Sequence, residues 1–331
     1  MVSPIPTIVA TITVRSASGD PYRCVIDCAQ QGGMKFVTGE GPLSVLDGLT
    51  VRNANDSGIF CDNASPSLRR CVIRDNQSTA GGGVRCWNES SPTLTDCVIR
   101  DNTADEGGGF ACQGGQPVLT NCVITGNRAS SGYARGGGLL CQCPATLINC
   151  IVARNTAGVL DDPTGSATGQ GGGLYCAGSL GNSPLTLTHC TITGNAAGQG
   201  GGGLCCDEYA APLVTNSILW ANQPDEIQSL SHQGTPVPVN AVVAYSNVQG
   251  GWTGIGNTSV NPRLTPSGHL SAMSPCIDLG NISNLPAVLA DVDGDGDYAE
   301  PVPLDVNRET RVFNDAVDLG ADEFQDLDGD R

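Results

Sequence analysis

The apolar positions of this chain recur in short runs, each followed by glycine or a polar turn residue. Through the centre of the chain a Gly-x-x-Cys element alternates with a Leu-x-x-Cys-x-Ile-x-x-Asn element, and the first returns after 25, 26, 29, 35 and 30 residues. Its copies are Gly58–Cys61, Gly83–Cys86, Gly109–Cys112, Gly138–Cys141, Gly173–Cys176 and Gly203–Cys206. Such self-similarity indicates stacked units, none of which could bury its own apolar face alone.

The units are predicted to be built from strands. The apolar runs are rich in Val, Ile and Thr, and 45 glycines and 20 prolines interrupt the long stretches that helical repeats would need. A unit of about 25 residues fits one coil of a parallel β-helix, in which equivalent residues stack roughly 4.8 Å apart. The pattern therefore predicts an all-β solenoid whose side chains form columns.

The repeat also predicts which side chains face inward. Arg85 points outward between the inward Val84 and Cys86, since side chains alternate along a strand. Leu94 and Cys97 can both point inward only if the chain turns a corner between them. A column of turn asparagines is expected to stack from coil to coil, because asparagine tolerates left-handed turns and its amides can bond between coils. Its predicted members are Asn53, Asn76, Asn102, Asn127, Asn155, Asn195 and Asn222.

The repeat pattern ends near residue 255. We expect residues 1–255 to form the β-helix, with a first coil or cap at its start. From about residue 256 the composition becomes acidic and the pattern fails. Residues 256–331 are therefore predicted to be a loop-rich C-terminal cap over the open end of the stack, where strand edges would otherwise be unpaired.

The chain resembles secreted bacterial right-handed parallel β-helix repeat proteins of the pectin-lyase-like class. The resemblance lies in the two repeated elements, in Val25–Cys28, and in the motifs Ser274–Gly280 and Val317–Glu323. The repeats are also similar to those of polymorphic outer-membrane adhesins. The resemblance to the β-helix repeat proteins implies a right-handed β-helix and an extracellular or cell-surface location. Because the class includes lyases, hydrolases and adhesins, it implies little about function.

The charge of the chain excludes some partners. The net charge is −17 with a single lysine, Lys35, which argues against nucleic-acid binding. It also disfavours acidic polysaccharides unless Ca²⁺ bridges the like charges. No apolar stretch is long enough to span a membrane. The first residues lack the basic and apolar regions of a signal peptide, so the extracellular location rests on the resemblance.

Sixteen cysteines are present, and eleven fall in two inward columns. We interpret them as small core hydrophobes. The alternative is disulfides between neighbouring coils, since the coil spacing overlaps the Cα separation of bridged cysteines. Local disulfide pairs are a further alternative: Cys24/Cys28, Cys141/Cys143 and Cys205/Cys206. A thiol-bound metal is disfavoured, because no Cys-x-x-Cys pair has matching histidines.

An acidic loop near the C-terminus predicts a structural Ca²⁺ site. Alternating aspartates before a glycine turn can wrap oxygen ligands around the ion. Val302 stands where an EF-hand loop has its bidentate glutamate, so the site would be non-standard. The expected metal ligands are Asp291, Asp293, Asp295, Asp297 and Glu300.

Catalytic candidates are weak. Asp75 and Asp101 are equivalent positions on adjacent coils, and Arg100 flanks the second; two carboxylates in register could perform acid–base chemistry or hold a metal. The same positions are ordinary for solvated turn residues. His189 occupies a corner column otherwise rich in asparagine, which favours a structural role.

Exposed aromatic residues are candidates for a shallow sugar site. Tyr175 is equivalent to Arg85, and Trp220 is equivalent to Arg74 and Arg100, so both are expected to point outward. Because every strong motif is accounted for by stacking, the favoured interpretation is a non-enzymatic extracellular structural or adhesive protein. Binding of a surface polysaccharide and self-association are its expected modes of action. The alternative is a polysaccharide lyase or glycoside hydrolase acting on an exposed face.

Overall fold

The chain winds as a parallel β-solenoid. The computed structural model describes residues 11–158, 168–178, 185–231, 235–287 and 300–325. Within these residues, successive coils add strands to four parallel sheets, which the chain visits in the order I, II, III and IV. The described residues hold one short 3₁₀ helix, Ile282–Asn284, and no helix in them is long and apolar enough to cross a bilayer.

Sheet I consists of β1 (Thr13–Arg15), β4 (Val45–Asp47), β7 (Ser67–Arg69), β11 (Thr93–Thr95), β15 (Val118–Thr120), β19 (Ala145–Ile148), β23 (Leu185–Thr188), β27 (Leu213–Thr215) and β30 (Val242–Ala244). Sheet II consists of β2 (Val25–Asp27), β5 (Thr50–Arg52), β8 (Val72–Arg74), β12 (Val98–Arg100), β16 (Val123–Thr125), β20 (Ile151–Ala153), β24 (Thr191–Thr193), β28 (Ile218–Trp220) and β31 (Asn247–Val248). Sheet III consists of β9 (Gln77–Ala80), β13 (Thr103–Glu106), β17 (Arg128–Ala129), β21 (Thr156–Ala157) and β25 (Ala196–Ala197). Sheet IV consists of β3 (Met34–Phe36), β6 (Ile59–Asp62), β10 (Val84–Trp87), β14 (Phe110–Cys112), β18 (Leu139–Cys141), β22 (Leu174–Cys176), β26 (Leu204–Cys206) and β29 (Ile227–Ser229).

The predicted register is confirmed. Cys86 pairs with Cys112 in sheet IV, and Ile99 pairs with Ile124 in sheet II. All four side chains are fully buried in one continuous core that runs along the stack. Each buried leucine or isoleucine contributes roughly 1.5–3 kcal/mol by leaving water. Equivalent side chains therefore meet once per coil, and the core is a set of columns.

The cysteines form two of these columns. One holds Cys61, Cys86, Cys112, Cys141, Cys176 and Cys206, and the other holds Cys71, Cys97, Cys122, Cys150 and Cys190. In the second column each thiol donates to nearby carbonyls; Cys97 Sγ, for example, lies 3.4 Å from Thr95 O and 3.5 Å from Leu68 O. All sixteen cysteines lie in the described residues, and all are free thiols. The structure thus agrees with their interpretation as small core residues.

The turn asparagines form the predicted column from Asn76 to Asn222. In each step the backbone N–H and the Nδ2 group of one asparagine donate to the Oδ1 atom of the next. Asn102 does so to Asn127 at 3.1 and 3.0 Å, and its Nδ2 group also donates to Ile73 O at 2.9 Å. Every member is buried. The column satisfies, coil after coil, polar groups that would otherwise be buried without partners.

The prediction that Asn53 is the first member of that column is wrong. Asn53 pairs in register with Asp75, adopts a left-handed φ of 59°, and turns its Nδ2 group to Asp27. Ala54 occupies the equivalent position, and its N–H donates to Asn76 Oδ1 at 2.9 Å. The asparagine column therefore begins one coil later than expected.

Glycine is required where the chain enters sheet IV. A Cβ atom added to Gly109 would lie 2.8 Å from Gly138 O and 2.9 Å from Asn127 Nδ2. A side chain at this corner would separate the coils and break the asparagine column beside it. The repeated glycines therefore keep successive coils at hydrogen-bonding distance.

The described part of the acidic C-terminal region packs against the side of the coils, and its expected role as a cap over the end of the stack stays a prediction. Residues 261–287 and 300–325, called the C-terminal segment below, lie along the side of the coils at the corner between sheets I and II. Asn149 Nδ2 donates to Leu304 O at 2.8 Å, Asn216 Nδ2 donates to Asn281 O at 2.9 Å, and Ala321 N donates to Thr191 Oγ1 at 3.0 Å. Residues 252–260 lie at the last coil, where Thr258 pairs with Asn247 and Trp252 packs on the core.

Two features attach the C-terminal segment to the coils. The outer positions of sheets I and II become apolar there, so that Ile148 packs on Val302, and Ile218 packs with Leu270 and Leu319. In addition, the fully buried Arg311 donates to His189, whose pKa is lowered by burial and by the arginine. His189 thus has the structural role that its column suggested.

Removing one member of the asparagine column should be costly. Asn127→Ala leaves the backbone N–H of Asn102 and one of its two Nδ2 protons without partners inside the protein, while the other Nδ2 proton keeps Ile73 O. We expect a loss of about 3 kcal/mol or more in the free energy of unfolding, at about 1–3 kcal/mol for each unpaired buried group. Urea denaturation measures this. Asn55→Ala, at an exposed side chain, is the control and should stay within about 0.5 kcal/mol of the parent.

The thiol columns can be checked by titration with a thiol reagent. Burial raises the pKa of Cys176 to about 12 and that of Cys276 to about 11. Because the thiolate is the reactive form, most cysteines should be unreactive in the native protein at neutral pH. Unfolding without a reductant should expose all sixteen as free thiols. Recovery of few or no thiols would show that the columns are disulfide-bonded.

Candidate functional site

A cleft of about 570 Å³ opens where the C-terminal segment meets the outer face of sheet II. We call it the Trp220 cleft. It is lined by Ala153, Arg154, Thr193, Gly194, Trp220, Ala221, Asn261, Arg263, Leu264, Thr265 and Pro266. One wall comes from three adjacent coils and the other from a segment outside the repeat, so the cleft exists only because that segment packs on the side of the stack.

The aromatic wall of the cleft is held in place by packing. Trp220 ends β28 and points outward, as its position predicts. It is half-buried against the apolar cluster that contains Ile218 and Leu270, and its carbonyl accepts a hydrogen bond from Thr193 Oγ1 at 2.8 Å. The indole ring is therefore fixed, with part of its surface open to the cleft.

Two arginines supply the charge of the cleft. Arg154 lies in the left-handed turn after β20, with a φ of 54°, and Arg263 lies in a similar turn with a φ of 49°. Neither guanidinium forms a hydrogen bond or an ion pair with any described residue, and both residues are exposed. The described lining holds no carboxylate. The cleft is thus a positive site on a chain of net charge −17.

The lining residues decide what chemistry the cleft supports. General acid–base catalysis needs a group that exchanges a proton near neutral pH, such as a carboxyl, an imidazole or an amine. The described lining offers two guanidinium groups, which stay protonated. This composition suits binding of an anion beside an aromatic surface.

Tyr175, the other aromatic candidate, is not exposed as expected. It does occupy the outward position equivalent to Arg85 and lies on the outer side of β22, but it is only 1% exposed. It belongs to a second apolar cluster outside the coils with Ala111, Leu140 and Cys205, and the Arg135 Cζ atom lies 5.1 Å from its ring centroid. Its hydroxyl is buried, and burial raises its pKa. Tyr175 therefore offers no open platform for a sugar.

The carboxylate candidates lie at an exposed corner. Asp75 and Asp101 occupy left-handed turns on adjacent coils, with φ values of 55°. Asp75 is ion-paired with Arg74, and Asp101 with Arg100, in each case its sequence neighbour. No described residue of the Trp220 cleft belongs to this group. Their suggested catalytic role stays an untested prediction.

The predicted Ca²⁺ ligands Asp291, Asp293, Asp295 and Asp297 lie outside the described residues, and only Glu300 is placed. The Ca²⁺ site therefore stays a prediction. Carboxylate oxygens of Asp305, Glu309 and Asp322 lie within 4.8 Å of one another in the C-terminal segment. Asp305 accepts backbone N–H groups of Glu309 and Glu323 at 2.8 Å, so this carboxylate already serves the local fold.

A smaller cleft of about 340 Å³ lies at the end of the asparagine column. Glu226, which lines it, terminates the column by accepting the N–H and Nδ2 groups of Asn222 with its two oxygens. It is only 8% exposed, and burial raises its pKa to about 7. Glu226 thus accepts the hydrogen bonds that a further asparagine would accept. Its carboxyl group is costly to ionise because it is buried.

Comparison with known proteins agrees with this architecture. The family described as "Right handed beta helix region" matches residues 12–219, which is more than half of the chain. The chain belongs to this family, and its fold is a right-handed parallel β-helix of the pectin-lyase-like type.

A solved structure, "Crystal structure of pectate lyase Pel9A", is similar with a TM-score of 0.50 and 15% sequence identity. The match covers 95% of this chain and 80% of that one. At this identity the likeness concerns the fold alone. No curated protein matches the chain.

The sequence held partial signals for the Trp220 cleft. The outer residues of sheet II change from Arg74 and Arg100 to Ala153, Thr193 and Trp220, and an apolar outer face indicates that something packs on it. Arg154 stands in a turn column otherwise held by Asn, Asp, Gly and Ala, yet nothing in the repeat suggests a partner for it. Arg263 lies outside the repeat, so no periodicity could place it.

The carboxyl of Glu226 predicts a pH-dependent stability. Its pKa is raised from 4.5 to about 7 in the folded state, so the folded protein binds this proton more tightly than the unfolded chain. The stabilisation is fully present below about pH 4.5 and is lost as the pH rises through 7, by roughly 3 kcal/mol.

Glu226→Gln removes this proton while keeping an oxygen that can accept both groups of Asn222. We expect the variant to resemble the parent at pH 4.5 and to be more stable than the parent at pH 8, as measured by urea denaturation. Glu89→Gln, at an exposed carboxyl on an early coil, is the control and should leave the pH dependence unchanged. Equal stability of parent and Glu226→Gln at pH 8 would contradict the assigned pKa shift.

Proposed function

We propose that this chain is a non-enzymatic extracellular β-helix protein that binds an acidic saccharide in the Trp220 cleft. One observation carries the proposal: Trp220 is fixed beside Arg154 and Arg263, whose charges have no carboxylate partner among the described residues. A guanidinium binds a carboxylate by two parallel hydrogen bonds, and an indole ring packs on the apolar face of a sugar.

The negative charge of the whole chain does not prevent such binding. At physiological ionic strength charges are screened over about 8 Å, so the potential in the cleft depends mainly on the two nearby arginines. The volume of about 570 Å³ lies in the usual range for small-ligand sites. An elongated scaffold with a saccharide site on its side suits an adhesive or structural role at a cell surface.

The alternative is a polysaccharide lyase or glycoside hydrolase on the same fold. A pectate lyase shares the architecture, but the Trp220 cleft has no described proton-exchanging group, and Asp75 and Asp101 are paired with neighbouring arginines at another corner. These observations favour binding over turnover.

Calorimetric titration with a hexasaccharide of galacturonic acid tests the proposal. We expect saturable binding that Arg154→Gln and Arg263→Gln each weaken about tenfold, because each removes a charge-assisted hydrogen bond worth about 1.5–3 kcal/mol. Arg15→Gln, at an exposed arginine on β1, is the matched control and should bind like the parent.

The same mixtures should be incubated and assayed for new reducing ends and for the ultraviolet absorbance of unsaturated uronates. The proposal predicts neither product. Catalytic release of either would establish the enzymatic alternative. Unchanged affinity in both arginine variants would show that the saccharide does not bind in the Trp220 cleft.

A further inference from the structure

A second group of aromatic and basic residues lies on the outer face of sheet IV, near the start of the stack. Lys35, Phe60 and Arg85 are paired in register on three adjacent coils. Trp87 lies two residues after Arg85 on β10 and so points to the same outer side. We call these four residues the Arg85 face. It is separate from the Trp220 cleft, which lies on sheet II and shares no residue with it.

Arg85 is held by aromatic rings instead of by carboxylates. Its Cζ atom lies 4.3 Å from the Trp87 ring centroid and 5.5 Å from that of Phe60. Lys35 Nζ lies 5.9 Å from the Phe60 centroid. Cation–π contacts of this kind fix the plane of the guanidinium and favour arginine over lysine.

The hydrogen-bonding capacity of Arg85 is unused. Its Nε atom is buried, and no described residue accepts a hydrogen bond from it. Its Nη atoms also have no described partner and are not enclosed. Three arginines on nearby coils, by contrast, are neutralised by aspartates: Arg52 by Asp27, Arg70 by Asp47 and Arg74 by Asp75.

Two carboxylates near this face are already engaged. Asp56 is ion-paired with Lys35 at 3.1 Å, and Asp62, which pairs in register with Trp87, accepts from Asn88. Trp87 is 43% exposed, so much of its ring surface faces water. The face therefore combines an unpaired, oriented guanidinium with an open indole ring.

We propose that the Arg85 face is a second binding site for a sugar residue that carries an anionic group, either a carboxylate or a sulfate. The Nη edge of Arg85 would donate two parallel hydrogen bonds to the anion, and Trp87 would pack on the sugar ring. Because the guanidinium is already oriented, little conformational entropy is lost on binding. This proposal stands on sheet IV alone and does not depend on the Trp220 cleft.

Tryptophan fluorescence can isolate this site, since the chain has only three tryptophans. In the full-length Trp220→Phe/Trp252→Phe variant, Trp87 is the sole reporter. We expect saturable quenching by a hexasaccharide of galacturonic acid or by a heparin-derived hexasaccharide, and none by cellohexaose. The acidic probe that binds more tightly identifies carboxylate or sulfate as the preferred group. Quenching by neither acidic probe, or equal quenching by cellohexaose, would overturn the proposal.

The role of Arg85 is tested in the same background. Arg85→Lys keeps the charge but loses the two-pronged geometry, and the affinity should fall at least tenfold. Arg128→Lys changes an exposed arginine on β17 that has no described aromatic contact, and it should leave the affinity unchanged. A thermal unfolding curve of each variant confirms folding. Equal affinity in a folded Arg85→Lys variant would show that the cation–π stack is structural only.

Discussion

Hydrogen bonds between equivalent side chains on successive coils are the constraint on which the rest of this structure depends. Each asparagine from Asn76 to Asn222 joins its own coil to the next through Oδ1, Nδ2 and the backbone N–H. These bonds form only if the coils stay in strict register. That register in turn brings the thiol and aliphatic columns into contact, so the apolar core and the polar column specify the same arrangement.

A stack of this kind leaves its outer positions free to vary, and the molecule uses them in two ways. On sheet II they become apolar in the later coils, which allows the C-terminal segment to pack there and to form one wall of the Trp220 cleft. On sheet IV an arginine is stacked between aromatic rings near the start of the stack. Both surfaces present unpaired guanidinium groups on an acidic protein, and both depend on the rigidity of the coils beneath them.

The core could be predicted from the sequence because its residues recur once per coil. Cys86, Cys112, Ile99 and Ile124 are placed as the repeat requires. The prediction for Asn53 was wrong because this early coil has an asparagine at the left-handed turn, one residue before the column position, and an alanine at the column position itself. Counting from Leu49, the residue equivalent to Cys71, gives Ala54 as the member of the column.

Sites that depend on non-repeating segments were harder to predict. The outward direction of Tyr175 follows from periodicity, but its burial depends on neighbours outside the coil core, including Leu230. Arg263 comes from a segment with no equivalent elsewhere in the chain, so its meeting with Arg154 could be seen only in three dimensions. The side-on packing of the C-terminal segment was likewise missed. Two residues mark the places where it binds: Ile148 interrupts a column of threonines that includes Thr120 and Thr188, and His189 stands in a corner column rich in asparagine.

Hydrogen exchange of the side-chain amides tests the central claim most directly. In nuclear magnetic resonance spectra, the Nδ2 protons of Asn102, Asn127 and Asn155 should exchange with solvent as slowly as the backbone N–H groups of β12, β16 and β20, because both sets are buried and paired. The exposed side chain of Asn55 should exchange rapidly in the same sample. Exchange of the three column amides at the rate of Asn55 would contradict the account, since no continuous hydrogen-bonded column would then join the coils.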